Sequence, residues 1–410
     1  MSGASHDPVV AAKRLEIARA AAARHGYPAL SLRMLAVTGT NGKTTTVNIL
    51  RSVLDDAVGP AASIGTLGVL IGREARVVPG GLGLTTPGPD ELQRVLHELV
   101  DAGVKTVAME VSSHALDQHR VHGVTFDSAV FTNITRDHLD YHGTMEEYFA
   151  AKARLVSYIR SNGTAVINAD QPEWLSLPRA PRALTFGTRS SDVRAEDVTF
   201  DPSGSVWTLH HDDESAPVHL PLVGDFNVMN ALAAASAAIS IGVPLQRVAA
   251  SLSTIPQVPG RLERIADEPI VMRDYAHTPD ALVRSLAALR PFVPGRIILV
   301  FGAGGDRDPG KRPIMGAAAE AGADVVIVTS DNPRTERPEA IIDEIERGMS
   351  SRHERVTDRR AAIGRALDIA EPGDTVLLAG KGHETYQVVG TEKIPFDEKQ
   401  IVAELLRARA

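Results

Sequence analysis

Two periods of apolar and polar residues alternate along this chain. From Met34 onward, short apolar runs rich in β-branched residues are separated by segments in which apolar residues recur at helical spacing. This alternation predicts βα units around a largely parallel sheet. In the first half it predicts strands at residues 35 to 39, 104 to 111, 128 to 134 and 164 to 168, and helices at 43 to 54, 90 to 102 and 144 to 160.

The pattern changes between residues 192 and 222, where three apolar runs separated by polar turns predict antiparallel strands. Helices are predicted next, at 227 to 241 and 245 to 252. Residues 255 to 264 carry two prolines and a glycine, a composition typical of a domain boundary. The βα pattern then restarts, and strands in PIVMRDY, RIILVFG, DVVIVTS and DTVLLAG predict a second doubly wound domain.

We therefore predict an α/β protein with a short helical extension over residues 1 to 33, a central domain over 34 to 256 and a Rossmann-like C-terminal domain over 257 to 410. More than one domain is expected, because a chain of 410 residues exceeds what a single core usually organises. The extension has no apolar stretch of the kind found in secretory signals.

Composition narrows the possible partners. The formal charge of −8 argues against broad binding to nucleic-acid phosphates, and no apolar stretch reaches the length of a membrane span. The chain has no cysteine, which excludes disulfides, thiolate metal sites and cysteine nucleophiles. We expect a cytoplasmic monomer or dimer whose partners are small molecules, with no nucleic acid and no membrane.

The segment TGTNGKTTT joins a predicted strand to a predicted helix and has the features of a phosphate-binding loop. Glycines let backbone N–H groups approach a phosphate, a lysine adds positive charge and a threonine hydroxyl can reach magnesium. Only two residues separate its glycines, whereas the usual P-loop pattern has four. The candidate nucleotide-binding residues are Gly39, Thr40, Asn41, Gly42, Lys43, Thr44 and Thr45. The non-functional alternative is a βα turn that binds nothing. A P-loop by itself does not distinguish a motor protein, a kinase and a ligase.

Candidate metal ligands follow two other predicted strands. Glu110 ends one strand, and the carboxyl ends of parallel strands line the ligand crevice. Residues 132 to 143 contain Asp137, His138, Asp140 and His142. A single histidine is more often structural than functional, but this density beside a P-loop favours a functional site. Lys152 lies in the next predicted helix, where the bland interpretation is a solvated lysine.

An ordered series of motifs carries a family resemblance. It runs through GTNGKTTT, TTPGP, EVSSHALDQHR, TNITRDHLDYHG, GDFNVMN, PGRLE, DYAHTPD, GAGGDRDPGKRP, DNPR and GKGHETYQ. Over residues 34 to 400 the chain resembles the Mur ligases, nearest their diaminopimelate-adding tripeptide branch. The resemblance implies a P-loop central domain and a Rossmann-like C-terminal domain, with ATP and Mg²⁺ as ligands. A substrate carboxylate would attack the γ-phosphate of ATP, and an amine would then displace phosphate from the acyl phosphate.

The resemblance also assigns roles. It implies Lys43, His138 and Lys152 as catalytic residues, and Thr44, Glu110, His138 and Lys152 as metal ligands, with Lys152 carried as a carbamate. Further nucleotide contacts would come from Asn227, Arg261 and Asp274, so that ATP lies between two domains. The acceptor carboxylate side resembles Thr85, Thr86, Ser112, Gln118 and Arg120. The amine side resembles Arg307, Asn332, Arg334, Gly380 and Glu384, whose charges complement meso-diaminopimelate. For Arg261 the non-functional alternative is an interdomain salt bridge, and for the amine-side residues it is a surface cluster of ion pairs.

The sequence departs from the family pattern at three places. Leu84 stands where the family has Asn, and Arg337 stands where it has an acidic residue. Only residues 1 to 33 precede the P-loop strand, which predicts a ligase without the domain that grips uridine diphosphate. Three hypotheses follow: a tripeptide ligase that binds the sugar nucleotide weakly or with help, a divergent ligase for a smaller carboxylate, or a non-catalytic nucleotide-binding subunit.

Overall fold

The computed structural model describes residues 8 to 81, 83 to 188, 190 to 201 and 203 to 409. These residues form two compact units. The first unit reaches to Pro221 and resumes from Asp225 to Pro256, and the second contains Leu222–Gly224 and Gln257 onward. No helix in the described part of the chain is long and apolar enough to cross a membrane.

The first unit is built on one sheet of 11 strands in the order β11-β10-β9-β8-β7-β6-β1-β5-β2-β3-β4. Pairing is parallel from β9 to β2 and antiparallel at both edges. The strands are β1 Arg33–Thr38, β2 Ala61–Gly65, β3 Gly68–Ile71, β4 Arg76–Val78, β5 Thr106–Glu110, β6 Phe126–Phe131, β7 Ile159–Asn168, β8 Arg182–Gly187, β9 Val193–Asp201, β10 Gly204–His211 and β11 Glu214–Leu220.

Eight α-helices belong to the described part of this unit. They are α1 Pro8–Arg24, α2 Lys43–Val58, α3 Pro89–Asp101, α4 Ser113–Asp117, α5 Leu139–His142, α6 Met145–Ala153, α7 Asp225–Ser240 and α8 Leu245–Leu252. Short 3₁₀ helices span Pro28–Ser31, Arg154–Tyr158 and Pro172–Ser176. In α3, Leu92, Val95, Leu96 and Leu99 recur at helical spacing and are fully buried, so one face of the helix packs into the core.

The second unit has a sheet in the order β12-β13-β17-β14-β15-β16, parallel except for the β12–β13 pair. Its strands are β12 Glu263–Asp267, β13 Ile270–Asp274, β14 Ile297–Phe301, β15 Val325–Val328, β16 Glu354–Arg355 and β17 Thr375–Ala379, with a separate hairpin of β18 Tyr386–Val389 and β19 Glu392–Pro395. Its helices are α9 Pro279–Leu289, a 3₁₀ turn Arg290–Phe292, α10 Lys311–Gly322, α11 Pro338–Glu346, α12 Arg359–Ile369 and α13 Glu398–Arg407.

Most predicted elements are confirmed, and the main error is the helix predicted at 144 to 160. That helix ends at Ala153, a 3₁₀ segment follows, and β7 begins at Ile159. The apolar spacing of Leu155 and Val156 imitates a helix, but Ile159 pairs with Phe126 on the neighbouring strand. The antiparallel strands predicted after residue 192 are also confirmed, and they continue the large sheet because β8 pairs with β9. Eight strands were not predicted, namely β2, β3, β4, β8, β12, β16, β18 and β19.

Candidate active site

The phosphate loop, defined here as residues 38 to 46, connects β1 to α2. Gly42 is the N-cap of α2, with a φ of 85°, and as a glycine it provides no side-chain cap. A Cβ at Gly39 would overlap the hydroxyl of Thr132, and a Cβ at Gly42 would overlap the amide oxygen of Asn230. The loop therefore requires both glycines, and it presents the uncapped, partially positive end of a helix, which suits a phosphate.

Two lysines converge on one carbonyl oxygen of this loop. Lys43 Nζ donates to the carbonyl oxygens of Gly39 and Thr40, at 2.9 and 2.8 Å. Lys152 Nζ donates to the same Gly39 oxygen at 2.8 Å and lies 4.4 Å from the centre of the Tyr148 ring. The Lys152 residue is only 1% exposed, which rules out the solvated-lysine interpretation.

Burial, and secondarily the positive charge of Lys43, hold the pKa of Lys152 well below its usual range. A lowered pKa favours the neutral amine, and a neutral lysine is a nucleophile. The environment therefore suits covalent chemistry at Nζ better than a permanent ion pair.

Glu110 ends β5 and is 1% exposed. Its two oxygens accept from the backbone N–H and the hydroxyl of Thr66, at 2.8 and 3.2 Å. A Cβ at Gly65 would overlap this carboxylate, so the glycine at the end of β2 makes room for it. The Thr66 hydroxyl also lies 3.4 Å from that of Thr85, which links a predicted acceptor residue to the carboxylate.

His138 has a left-handed backbone, with a φ of 53°, and its side chain is half-exposed beside Asp137. Its ring centre lies 4.8 Å from that of His114, and burial is the main cause that lowers the pKa of both imidazoles, that of His114 to about 4. Neutral imidazoles can act as metal ligands.

Among the described residues, no three His, Asp or Glu side chains form a ready-made metal cage. The donor set nevertheless fits Mg²⁺, which is held by few protein oxygens and keeps several waters. Glu110 supplies carboxylate oxygens and Thr44 a buried hydroxyl-bearing side chain. Imidazole is a softer ligand than Mg²⁺ prefers, and the amine of Lys152 would need conversion to a carbamate to supply oxygens.

The predicted acceptor residues form one hydrogen-bonded network near Glu110. The Thr86 hydroxyl donates to the Glu110 carbonyl at 2.9 Å and accepts from the Ser112 N–H at 3.1 Å. Arg120 donates to the Thr86 carbonyl at 3.0 Å and to the Gln118 side-chain oxygen at 3.0 and 2.6 Å. The guanidinium is therefore held in place by its neighbours before any ligand binds.

Asn227 is buried in α7 and connects indirectly to the phosphate loop. Asn230 Nδ2 donates to Asn227 Oδ1 at 3.1 Å, and Asn230 Oδ1 lies 3.5 Å from the Thr46 hydroxyl. The same Asn230 packs against Gly42. Six predicted groups, namely the phosphate loop, Glu110, His138, Lys152, the acceptor residues and Asn227, thus all lie in the first unit.

The remaining predicted nucleotide contacts lie in the second unit. The Arg261 guanidinium stacks 4.7 Å from the centre of the Tyr275 ring. Asp274 is buried, and its carboxylate accepts from Leu262 N–H at 2.7 Å and from Ala276 N–H and the Ser285 hydroxyl at 2.9 Å each. Burial raises the pKa of Asp274 despite these hydrogen bonds and the nearby Arg261. Asp274 therefore braces the loop that carries Arg261.

The predicted amine-side residues surround the loop that follows β15. Asn332 Nδ2 donates to Glu384 Oε2 at 2.9 Å. Arg334 has a φ of 52° and donates to the Gly305 carbonyl at 2.7 Å. Arg307 and Arg334 both flank Gly304, since a Cβ there would lie 3.8 Å from Arg307 Cγ and 2.9 Å from Arg334 Nη1.

Gly380 follows β17 with a φ of 114° and donates its N–H to the Asp274 carbonyl at 3.0 Å. A side chain there would overlap the Asp331 carboxylate. The structure therefore brings all five amine-side residues into one region of the second unit.

Known proteins share both units. The model of the Mur ligase middle domain matches residues 37 to 238, and that of the Mur ligase, glutamate ligase domain matches residues 260 to 382. A UDP-N-acetylmuramoyl-L-alanyl-D-glutamate--2,6-diaminopimelate ligase from Thermosynechococcus vestitus is 46% identical over 402 residues, which cover 95% of this chain and 80% of the relative. The chain belongs to the Mur ligase family. The predicted family and the predicted ATP-dependent, amide-forming enzyme class are thereby confirmed.

Other comparisons agree with this membership. The ligase of the same name from Geobacillus kaustophilus is 42% identical to this Mur ligase, over 98% of the chain and 84% of the relative. A solved structure of a ligase with that name is 38% identical, with a TM-score of 0.65, and covers 92% of this chain and 79% of that one. Folylpolyglutamate synthase from Mycobacterium tuberculosis, complexed with ADP, has a TM-score of 0.76 at 20% identity over 89% of this chain and 91% of that one, a likeness of fold. The predicted α/β fold class is confirmed.

The two departures within the motifs have different structural outcomes in this Mur ligase. Leu84 is 47% exposed, so its apolar side chain does not replace the polar contact with a buried apolar one. Arg337 stands at the N-cap of α11, and the preceding residue, Glu336, is acidic. Glu336 pairs with the buried Arg312 at 2.8 Å and accepts from the Asp306 N–H at 2.5 Å.

Sequence reasoning missed four residues that shape the site. Tyr148 contacts Lys152 and also hydrogen-bonds the Thr40 hydroxyl at 3.1 Å. Thr66 holds Glu110, Asn230 packs on the phosphate loop, and Lys381 binds Asn332. Tyr148 could have been found, because it lies one helical turn before Lys152. Lys381 lies inside the motif GKGHETYQ, next to a selected glycine.

Proposed function

We propose that this Mur ligase joins meso-diaminopimelate to the terminal carboxylate of a UDP-N-acetylmuramoyl-L-alanyl-D-glutamate acceptor, with cleavage of ATP to ADP and phosphate. The reaction is a step of peptidoglycan precursor synthesis. The observation that carries the proposal is the amine-side cluster, in which two arginines flank Gly304 while Asn332 and Glu384 are hydrogen-bonded together. Two cations and one carboxylate complement an amino acid with an extra carboxylate.

Residues of the first unit would carry out the phosphoryl transfer. The uncapped N-terminus of α2 and Lys43 would hold the β- and γ-phosphates of ATP. A carboxylate oxygen of the acceptor then attacks the γ-phosphorus, the bond to the β-phosphate oxygen breaks and ADP leaves. The products are an acyl phosphate and ADP, and catalysis rests on positioning and on neutralising the transferred charge.

Arg120 would pair with a second carboxylate of the acceptor. Its guanidinium is already oriented by Thr86 and Gln118, so little conformational freedom is lost on binding. Thr85 and Ser112 belong to the same network and would contact the peptide portion.

The second unit supplies the amine. The amine nitrogen, once deprotonated, attacks the acyl carbon, a tetrahedral intermediate forms, and phosphate leaves with the oxygen that came from the acceptor. Arg307 and Arg334 would bind the carboxylates of meso-diaminopimelate, and Glu384 an ammonium group. Arg261 would contact the nucleotide, and Asp274 would act through it as a positioning residue.

Magnesium is part of the proposal, and it would neutralise charge on the phosphate oxygens when bound. Thr44, Glu110, His138 and Lys152 would hold it. For Lys152, the neutral amine bonds to the carbon of CO₂ and releases one proton, which leaves an anionic carbamate. The buried Nζ with its lowered pKa supports this step.

We further infer a cytoplasmic enzyme, since ATP is its phosphoryl donor. It would act on small molecules as a monomer or dimer. The alternative of a non-catalytic subunit is disfavoured, because the metal, phosphate and amine residues are all present, and each group is held by hydrogen bonds within its own unit. The alternative of a smaller acceptor without the uridine nucleotide is decided by experiment.

The test is phosphate release from ATP and Mg²⁺, with meso-diaminopimelate or L-lysine crossed against the UDP-linked dipeptide and the free muramoyl dipeptide. We expect release only with meso-diaminopimelate and the UDP-linked acceptor together. Equal turnover on the free dipeptide would establish the smaller acceptor instead, and turnover with lysine at the same KM would overturn the amine assignment.

A further inference from the structure

Lys381 in the second unit is completely buried, at 0% exposure. It follows Gly380 at the end of β17, and its Nζ lies 3.0 Å from Asn332 Oδ1 and 3.3 Å from Glu384 Oε2. Nothing in the proposed chemistry uses this lysine. A buried ammonium is costly unless it is paired, so its contacts with two amine-side residues indicate a role.

The first effect of Lys381 is on the orientation of Asn332. Oδ1 of Asn332 accepts from Lys381 Nζ at 3.0 Å and from the backbone N–H of Val388 at 2.9 Å. Both partners can only donate, so the amide oxygen must face them. The amide nitrogen must then face Glu384, where Nδ2 donates to Oε2 at 2.9 Å. The two donors therefore fix which side of the Asn332 amide carries the oxygen and which carries the nitrogen.

The second effect is on Glu384. Its Oε2 atom receives hydrogen bonds from both Asn332 and Lys381, and its side chain keeps 17% exposure. Within the described residues, no hydrogen bond is found to Oε1. The carboxylate is therefore held by one oxygen and keeps the other for a ligand.

We propose that Lys381 is a positioning residue of the amine site, which fixes Asn332 and one oxygen of Glu384 so that Oε1 of Glu384 receives the ammonium group of the incoming amine. This inference rests on the proposed function of Glu384 and deepens it. Lys381 itself does not touch the substrate. It holds Oε2 of Glu384 in place through a direct hydrogen bond and through Asn332.

The main test compares Lys381→Met with Lys393→Met, a matched control on the exposed strand β19 of the same unit. We expect Lys381→Met to raise the KM for meso-diaminopimelate about 10- to 100-fold, the equivalent of one hydrogen bond to a charged group, and to leave the KM for ATP unchanged. The control should change neither constant. An unchanged amine KM, or an equal rise in the KM for ATP, would overturn the proposal.

A double-mutant cycle separates positioning from general support of the fold. In a Glu384→Gln background, Lys381→Met should raise the amine KM less than about threefold further, because the oriented carboxylate is already gone. An undiminished second effect would mean that Lys381 acts through stability alone. If Lys381→Met does not fold, Lys381→Gln replaces it, because glutamine can still donate to Asn332 without charge; it should raise the amine KM less than Glu384→Gln does, and a larger rise would count against the proposal.

Failure of the proposed function can be distinguished from failure of the role proposed for Lys381. Wild-type turnover with meso-diaminopimelate tests that function without any variant. If the wild type uses another amine, the same KM ratios are measured with that amine, and only those ratios decide the role of Lys381.

Discussion

Two buried lysines of this Mur ligase have opposite surroundings. Lys152 in the first unit, at 1% exposure, contacts a backbone carbonyl and an aromatic ring and has Lys43 as a neighbour. Lys381 in the second unit, at 0% exposure, contacts a carboxylate and an amide. The same side chain is thus buried against a second cation in one place and against an anion in the other.

The difference in partners explains the difference in proposed roles. Burial, and secondarily the charge of Lys43, lower the pKa of Lys152 and disfavour its charged form, so the amine is available for reaction with CO₂. Lys381 instead forms an ion pair with Glu384 at 3.3 Å, so we propose that it serves as a fixed cation. Burial by itself therefore does not identify a reactive lysine, and the charge of its neighbours decides.

The largest effect on turnover is expected from a change at Lys43, which contacts the phosphate loop. Lys43→Ala should lower ATP turnover by about 10³-fold or more, because the charge opposite the transferred phosphoryl group is lost. Steady-state ADP release measures the effect, with the exposed Lys105→Ala as the control. More than a tenth of wild-type turnover in Lys43→Ala would remove the phosphate loop from the mechanism.

The next effect sharpens the contrast between the buried lysines. Lys152→Met and Lys152→Arg should both lower kcat about 100-fold, since neither side chain can form a carbamate to hold a metal. Lys381→Met should instead act mainly on KM for the amine. Kinetics at saturating substrates, together with ¹³C NMR of the wild type in labelled bicarbonate, measure the difference. Near-normal kcat in Lys152→Arg would show that positive charge at this position is sufficient.

A smaller effect is expected on the amine side. Arg334→Ala should raise the KM for meso-diaminopimelate about 10- to 50-fold, the typical loss of one charge-assisted pair with a substrate carboxylate, with the KM for ATP unchanged. L-Lysine, which lacks the second carboxylate, should be affected less. The exposed Arg352→Ala in the same unit is the control. Unchanged diaminopimelate kinetics would show that Arg334 does not bind the amine.

The smallest effect concerns stability and its dependence on pH. The folded-state pKa of Lys152 is far below its unfolded value of about 10.4, so the unfolded state binds more protons between those two values. Wild-type stability should therefore rise with pH in that window, by up to about 1.4 kcal/mol per pH unit relative to Lys152→Met. Urea unfolding in CO₂-depleted buffer from pH 7 to 9.5 measures it. A constant difference between the two proteins would contradict the lowered pKa.

The sequence was sufficient to predict what local pattern determines. The phosphate loop, the strand that ends at Glu110 and the helices after Asn227 all follow from apolar periodicity and motif spacing. The predicted end of the helix that carries Lys152 was wrong, because the pairing of Ile159 with Phe126 makes the chain a strand from Ile159 onward. Local patterns contain no information about such long-range pairing.

The chemical identity of the two lysines depended on packing that the sequence does not display. Spacing selected Lys152 as a candidate but left open a solvated position. Lys381 was passed over, since nothing in its own motif shows that Asn332, 49 residues earlier, would meet it. The residues that hold a site in place are harder to predict than those that face the ligand, because they are defined by contacts between distant segments.

Activation of an acceptor carboxylate as an acyl phosphate would transfer one carboxylate oxygen to the released phosphate, which isotope labelling can detect. The acceptor carboxylate is labelled with ¹⁸O, and the phosphate released during turnover with ATP, Mg²⁺ and meso-diaminopimelate is measured by ³¹P NMR. We expect one ¹⁸O atom in each phosphate, because the attacking oxygen leaves with the phosphoryl group when the amine adds. Release of unlabelled phosphate would contradict the acyl phosphate and with it the proposed mechanism.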